Sequence, residues 1–123
     1  MKNREEMKLG VVESQFADII WQNEPLSSGE LVKLSEEILK WKKSTTYTVL
    51  KKLCDRGIFK NENGEVSSVI SKEEFNAIQS EKFIEETFEG SLPAFIAAFT
   101  ARKSLSEKDI AEIRKMIDGY KED

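Results

Sequence analysis

The amino-acid sequence predicts a mainly α (α+β) fold, with an N-terminal winged helix-turn-helix followed by a C-terminal helical region. Three observations predict it. Three helical patterns with caps and stops precede residue 58, an Asn63-Gly64 turn then joins two short β-branched segments, and helical patterns fill the rest of the chain. A soft boundary near Ser71 divides the chain into domains of residues 1–71 and 72–123.

The first two helices are predicted from apolar spacing and from residues that start or stop helices. A helical pattern covers 11–23, and Pro25 disfavours helix at the residue before it. Ser27 or Ser28 can cap a second helix over 28–40, because a serine hydroxyl accepts a hydrogen bond from a free amide of the first turn. The inward residues expected are Val11, Val12, Phe16, Ile19, Ile20 and Trp21 in the first helix, and Leu31, Leu34, Ile38 and Leu39 in the second.

A third helix follows a short connection at Trp41. Ser44 or Thr45 caps this helix, which runs to Arg56, and Gly57 supplies the left-handed residue after it. Its apolar residues are few, and its remaining positions carry hydroxyl and ammonium groups. The segment is therefore predicted to be a short amphipathic helix with one buried side.

Two short strands, about 58–61 and 65–70, are predicted after the third helix. Asn63 and Gly64 lie between them and readily adopt the left-handed conformations of a tight hairpin turn. Three helices followed by a hairpin is the order of a winged helix-turn-helix. A generic three-helix bundle is the alternative, but it would explain neither the hairpin nor the basic third helix.

Three further helices are predicted after the hairpin. Ser71 caps a long helix that begins at Lys72 and ends at Gly90. Ser91 caps the next helix, which has a proline in its first turn, and Ser106 starts the last one. The apolar stripes of these helices are Phe75, Phe83, Phe88, Phe95 and Phe99, and then Ile110, Ile113, Met116, Ile117 and Tyr120.

Composition excludes several classes of function. The 123 residues include no histidine and a single cysteine, Cys54, so we expect no Cys/His metal site, no histidine acid–base chemistry and no internal disulfide. No glycine-rich phosphate loop is present, and adjacent carboxylates such as Glu73-Glu74 point apart on a helix, so we expect neither an enzyme nor a cofactor. Charged residues interrupt every apolar stretch and the N-terminus lacks a signal-peptide pattern, which predicts a cytoplasmic protein without a membrane partner.

Positive charge is concentrated in one short segment of an acidic chain. The formal net charge is −4, yet residues 40–60 carry seven lysine and arginine residues against one acid, a local charge of +6. An acidic protein with such a cationic helix is a candidate for local binding to a polyanion, and double-stranded DNA is the partner that the predicted fold favours. For any single lysine, a solvated surface charge is the alternative.

The third helix divides into an apolar and a polar side. With about 100° per residue, Val49, Leu50 and Leu53 share one side with Thr46, while hydroxyls and ammoniums lie opposite. Such a helix suits the major groove of DNA, where hydroxyls contact base edges and lysines contact phosphates. The candidate DNA-binding residues are Lys42, Lys43, Ser44, Thr45, Tyr47, Thr48, Lys51 and Lys52. The competing hypothesis is a protein-interaction module with the same fold and no DNA, because the predicted hairpin turn carries two acids.

The C-terminal apolar stripes predict a homodimer. A small helical region buries a low fraction of its surface, and a second copy across a two-fold axis would cover the exposed side chains. Pairing two winged helices also multiplies the specificity that one small helix can supply. The candidate dimerisation residues are Phe83, Phe88, Phe95, Phe99, Ile113 and Ile117. A self-contained helical subdomain is the alternative.

Several segments carry a resemblance to a known family. They are Asp18-Ile19-Ile20-Trp21, the stretch from Thr45 to Leu53 with Arg56-Gly57-Ile58, the stretch from Val69 to Phe75, and the helix from Leu105 to Ile117. In order and spacing they resemble the penicillinase-repressor (BlaI/MecI/CopY) family of winged-helix transcriptional regulators. The resemblance implies a homodimeric repressor whose winged helices bind palindromic operator half-sites. By position it implies DNA contacts from Lys43, Ser44, Thr45, Tyr47, Thr48 and Lys51.

Two departures from the family pattern bear on regulation. Copper-responsive members carry a cysteine-rich C-terminal metal motif, whereas residues 116–123 contain no cysteine, so copper sensing of that kind is not expected. β-Lactamase-type members are inactivated by proteolysis at an Asn-Phe bond, and the matching position here is Ala98-Phe99. The resemblance therefore implies a regulatory sensor protease as a partner, but the asparagine of its cleavage site is missing here. We favour Phe99 as a core or dimer-interface residue.

Overall fold

The computed structural model describes residues 7–120, which form six helices and one small antiparallel sheet. The mainly α fold class is therefore confirmed. The helices are α1 (Val11–Asn23), α2 (Ser28–Leu39), α3 (Lys43–Asp55), α4 (Lys72–Phe88), α5 (Leu92–Arg102) and α6 (Glu107–Gly119), and the strands are β1 (Leu26–Ser27), β2 (Phe59–Glu62) and β3 (Glu65–Ser68).

The chain forms two compact units, which we call unit 1 (Met1–Lys82) and unit 2 (Phe83–Asp123). The division falls within α4, later in the chain than the boundary near Ser71 that the sequence suggested. Unit 1 therefore includes the winged-helix elements and most of α4. The functional division into domains of 1–71 and 72–123 stays a prediction.

The sheet of unit 1 has the strand order β1-β3-β2. Asn63 and Gly64 have φ angles of 54° and 85°, so both central residues of the hairpin turn are left-handed, as a two-residue turn requires. The predicted hairpin is confirmed, although β3 ends at Ser68 rather than at residue 70. β1 was not predicted; it pairs with β3 through Leu26, which lies opposite Val66.

The core of unit 1 lies between the three N-terminal helices, the sheet and the start of α4. Trp21 connects these layers: its ring lies 5.1 Å from that of Phe59 and 5.6 Å from that of Phe75, and its Nε1 donates a hydrogen bond to the Ile70 carbonyl at 3.1 Å. The buried hydrophobic residues are Phe16, Ala17, Ile19, Ile20, Leu26, Leu31, Leu50, Leu53, Ile58, Phe59, Val66, Ile70 and Phe75.

Two details of the predicted helices were wrong. The third helix begins at Lys43, and its N-cap is the extended residue Lys42, which makes no side-chain capping hydrogen bond. Ser44 and Thr45 instead lie inside the first turn. The second helix ends one residue early, because Lys40 adopts a left-handed conformation with φ of 61°, which a helix cannot continue.

Three residues predicted to face inward are exposed. Ile38 is 58% exposed, whereas Leu39, the next residue in the last turn of α2, is half-buried against the core. Val11 and Val12 are exposed as well, since they form the first turn of α1, ahead of the buried residues that begin at Phe16. Helical periodicity identifies the inward side of a helix, but the ends of the packed region depend on neighbouring elements.

Unit 2 contains the end of α4, then α5 and α6, and the predicted caps are present. The Ser91 hydroxyl accepts a hydrogen bond from the Ala94 amide at 3.1 Å, and the Ser106 hydroxyl accepts one from the Asp109 amide at 3.0 Å. Gly90, with φ of 82°, separates α4 from α5. No residue of α5 or α6 is buried.

Candidate nucleic-acid interface

Helix α3 is fixed to unit 1 by one side only. Thr46, Leu50 and Leu53 are almost completely buried, and these positions recur at helical spacing along a single stripe. The Thr46 hydroxyl also donates to the Lys42 carbonyl at 3.3 Å, so this buried polar group is satisfied. The apolar stripe sets which side of the helix remains in solvent.

The exposed surface of α3, together with its N-cap, is what we call the α3 face. All eight predicted DNA-binding residues lie on it and are exposed. These residues are Lys42, Lys43, Ser44, Thr45, Tyr47, Thr48, Lys51 and Lys52. The structure therefore brings the predicted set together on one helix, as the helical spacing required.

Thr48 lies in the middle of the α3 face. Its hydroxyl donates to the Ser44 carbonyl at 2.9 Å, so the proton is committed to the helix backbone. The contacts that remain available to this side chain are an accepted hydrogen bond and an apolar contact through its methyl group. Both are suited to base edges in the major groove, where cytosine and adenine amino groups donate and thymine carries a methyl group.

Lys51 is paired with the one acid of α3. Its Nζ lies 3.3 Å from the Asp55 carboxylate, and both side chains are largely exposed. An exposed pair at this helical spacing contributes only about 0.3–0.5 kcal/mol. Exchange of Asp55 for a phosphate therefore costs little, and Lys51 remains available to a polyanion.

Arg56 is the member of the cationic segment that serves the fold. Its Nη1 donates to the Glu13 carboxylate at 2.9 Å and to the Lys8 carbonyl at 3.0 Å, and both charged side chains are mostly covered. The hydrogen bond from Arg56 and a second one from the Gly10 amide lower the pKa of the Glu13 carboxyl below its ordinary value of 4.5. The pair fastens the C-terminal end of α3 to the start of α1.

Tyr47 has a partner within the protein. It is 37% exposed, and its hydroxyl donates to Oγ of Ser28, the first residue of α2, at 3.1 Å. Its ring also lines a shallow groove beside β2, together with Leu50, Lys51, Cys54 and Asn61. Tyr47 therefore differs from Thr48 and Lys51, because its hydrogen-bond partner belongs to another helix.

The cysteine of α3 is structural in character. Cys54 is half-buried, and burial, with the nearby Asp55 charge, raises the pKa of its thiol. A raised pKa keeps the sulfur protonated and poorly nucleophilic. Cys54 is therefore a small residue at the edge of the core, against which it packs.

The hairpin tip is acidic. Glu62 lies directly opposite Glu65 in the register of β2 and β3, and Lys60 forms an ion pair with Glu62 at 3.3 Å. Like charges opposite one another destabilise a hairpin slightly and repel phosphates. Lys60 offsets part of this charge, so the hairpin adds little positive charge to the α3 face.

The predicted dimerisation residues form an exposed aromatic cluster in unit 2. Phe83, Phe88 and Phe95 meet edge to face, with ring centroids 5.6 to 6.1 Å apart, and Phe99 lies 6.1 Å from Phe95. Edge-to-face contacts are favourable, but the cluster remains open: Phe83 and Phe99 are 48% and 45% exposed. Ile113 on α6 is half-buried and Ile117 is exposed.

Ala98 and Phe99, the position that matches the cleavage site of β-lactamase-type members, lie inside α5. Both residues are exposed, and the helix continues on either side of them from Leu92 to Arg102. A protease that needs an extended substrate would first have to unwind this helix. Regulated cleavage here stays a prediction.

Sequence reasoning missed the residues that hold the α3 face in place. Glu13 lies 43 positions from Arg56 in the chain, and Ser28 lies 19 positions from Tyr47. No local pattern indicates such pairs.

Within residues 7–120 no group of three or more potential metal ligands comes together, and no described helix is long and apolar enough to cross a bilayer.

Comparison with known proteins gives a consistent set of relatives. The family model described as penicillinase repressor matches residues 9–119. The methicillin resistance regulatory protein MecI of Staphylococcus aureus is 21% identical over 115 residues, which cover 90% of this chain and 94% of that protein. The penicillinase repressor of Bacillus licheniformis is 21% identical over 113 residues, which cover 89% of this chain and 88% of the relative.

Proposed function

The chain belongs to the penicillinase repressor family, and on that premise we propose that it represses transcription by binding a palindromic operator as a homodimer. The DNA-binding element in this proposal is the helix predicted at 44–56, which corresponds to α3 in the structure. The family is one of transcriptional repressors rather than enzymes. The proposal implies that the protein acts on DNA in the cytoplasm.

The observation that carries the proposal is the division of α3 into two sides. Its apolar residues are locked into the core of unit 1, while the hydroxyls and ammoniums of the α3 face remain in solvent. A folded helix with this distribution can enter the major groove without disturbing the core. In an overall acidic protein, this local positive charge favours approach to DNA by the α3 face rather than by another surface.

The residues of the α3 face take two roles in the proposal. Ser44, Thr45 and Thr48 contact base edges, because their short side chains place hydroxyl and methyl groups near the helix. The lysines of this face reach the phosphates on either side of the groove and set affinity without reading sequence. The lysines concerned are Lys42, Lys43, Lys51 and Lys52.

The homodimer part of the proposal rests on unit 2. Its aromatic cluster and the apolar side of α6 remain open to solvent, and a second copy would cover them. Two copies related by a two-fold axis would also present two α3 helices to a palindrome. We assign Phe99 to this interface rather than to a cleavage site, because it packs on Phe95 within a continuous helix.

Selection of bound fragments from random duplex DNA tests the proposal and supplies the operator. The expected result is a palindromic site with half-sites about one helical turn, or a multiple of it, apart. Failure of the purified protein to bind any duplex, including the DNA upstream of its own gene, would contradict the proposal.

Two substitutions then separate the proposed roles on the selected operator. Thr48→Ala is expected to relax sequence preference at one position of each half-site. Lys51→Gln is expected to weaken binding to all sequences and to reduce the salt slope by about 1 for each copy in contact. The control is Lys108→Gln, which removes an exposed lysine of α6 with the same change in charge.

The acidic hairpin tip favours a second candidate, a protein-interaction module with the same fold. Glu62 and Glu65 would repel a phosphate backbone but would attract a basic partner. If the protein binds no DNA while a Glu62→Gln, Glu65→Gln variant loses a partner that the wild type captures, this candidate would replace the first.

A further inference from the structure

Three elements of unit 1 meet at one residue, Ser28. Its backbone amide donates to the Gly64 carbonyl at the hairpin turn at 2.8 Å, and its Oγ accepts the hydrogen bond from Tyr47 on α3 at 3.1 Å. Ser28 is also the first residue of α2, and the residue before it pairs with Glu65 of β3. The start of α2, the middle of α3 and the hairpin turn are therefore connected through one side chain and one amide.

The Ser28 side chain also lies close to the hairpin turn. Gly64 has φ of 85°, and a β-carbon built there would lie 3.9 Å from the Ser28 Oγ, so the hydroxyl lies against the turn. The Tyr47 ring lines the groove beside Asn61 of β2. The tyrosine thus lies beside β2, the first strand of the hairpin whose turn is bonded to Ser28.

From this geometry we infer that Tyr47 is a positioning residue that acts through Ser28, rather than a residue that reads bases. The inference rests on the proposed function, and it reassigns one of the eight predicted DNA-binding residues. Its hydroxyl sets the position of the hairpin relative to α3. That relative position fixes how close the acidic hairpin tip comes to the DNA backbone once α3 lies in the groove.

The hydrogen bonds of Ser28 add to what the core of unit 1 fixes. The core holds α3 by its buried stripe and the hairpin by Phe59 and Val66, whereas Tyr47 and the two turn residues lie outside that core. The hydrogen bonds of Ser28 connect α3 to the turn outside the core. Their loss should leave the core intact and alter the fit to the operator.

A double-mutant cycle on operator affinity tests the inference. Tyr47→Phe and Ser28→Ala are each expected to weaken binding about three- to tenfold, the effect of losing one hydrogen bond. The double variant is expected to bind as each single variant does, because both changes break the same contact. Ser28→Thr keeps a hydroxyl and should restore most of the affinity.

Independent effects would overturn the inference. If the two losses multiply in the double variant, Tyr47 contacts DNA directly. If neither change affects affinity while Lys51→Gln still does, the hydrogen bond does not position the α3 face. Ser80→Ala is the control: it removes an exposed hydroxyl that bonds within its own helix, α4, and it should leave binding unchanged.

A second readout needs no DNA. Exchange of the Ser28 amide proton, which is bonded to the Gly64 carbonyl, should accelerate severalfold in Tyr47→Phe, while the amides of α1 keep their protection. An unchanged Ser28 rate would contradict the positioning role. If the wild type binds no duplex, this exchange result alone decides the inference, so its failure is distinguishable from failure of the proposed repressor function.

Discussion

Units 1 and 2 differ in where their apolar residues lie, although both are built mainly from amphipathic helices. Every buried hydrophobic residue among positions 7–120 belongs to unit 1, from Phe16 to Phe75. Unit 2 has four phenylalanines in one continuous cluster, yet none of its helical residues is buried. Amphipathic helices therefore form a closed core in one unit and an open apolar surface in the other.

This difference matches the separate tasks that the proposed function gives to the two units. A closed core can hold a polar helix face still while that face meets a charged partner. An open aromatic surface has the character of half an interface, because folding alone leaves its apolar area in water. In the proposed repressor, unit 1 reads DNA and unit 2 pairs two copies.

A matched pair of phenylalanine truncations gives the largest expected contrast. Phe16→Ala in unit 1 should lower the free energy of unfolding by about 3–5 kcal/mol, because it leaves a cavity in a closed core. Phe99→Ala in unit 2 should cost less and should act by weakening self-association. Denaturant unfolding at two protein concentrations measures both effects. Equal, concentration-independent losses would show that unit 2 is closed in the monomer and would remove the contrast.

Placing a charge on the open surface of unit 2 tests the pairing directly. Ile117 is 66% exposed, so Ile117→Asp should be harmless in a monomer. In a dimer it would bury an unpaired carboxylate, and we expect monomers in sedimentation equilibrium and a loss of operator affinity of about 100-fold. Lys108→Ala changes charge by the same amount and is the control. An unchanged oligomeric state would contradict the assignment of Ile117 to an interface.

The ion pair between Glu13 and Arg56 makes the stability of unit 1 depend on pH in the acid range. The pKa of the Glu13 carboxyl is lowered in the folded state, so its stabilisation is fully present above its ordinary value of 4.5 and is lost as pH falls through the folded pKa. Glu13→Gln should therefore reduce unfolding free energy by about 1 kcal/mol at pH 7 and much less at pH 3. Thermal unfolding at the two pH values measures the difference. If Glu13→Gln lowered the unfolding free energy equally at pH 7 and pH 3, the carboxylate charge would be excluded as the cause.

The smallest expected effect concerns a buried hydroxyl. Ser35 is completely buried in α2, and no hydrogen-bond partner lies near its Oγ among the described residues. Ser35→Ala removes the unsatisfied group at nearly constant volume, so stability should be unchanged or increased by up to about 1 kcal/mol. A clear destabilisation in denaturant unfolding would show that the hydroxyl has a partner, such as a bound water.

Most of the local structure could be predicted from sequence. Helix α1 matches its predicted range, the Asn63-Gly64 turn forms as expected, and Ser91 and Ser106 cap their helices. These features depend on residues within one or two turns of one another. Periodicity, capping hydroxyls and left-handed turn residues act at that range, so the sequence displays them directly.

The features that could not be predicted depend on distant residues. β1 has only two residues, too few for an alternating pattern, and exists because it pairs with β3 some forty positions later. The Glu13–Arg56 pair and the Tyr47–Ser28 hydrogen bond likewise join separate elements. The residues of the candidate site were therefore identifiable from the helix itself, whereas the contacts that position it were not.

Chemical-shift mapping of the isotope-labelled protein with its selected operator tests the central claim most directly. We expect the largest amide perturbations along the α3 face, at residues such as Ser44, Thr48 and Lys51, with the buried stripe of the helix little affected. Binding that perturbs other surfaces and leaves these amides unchanged would contradict the account.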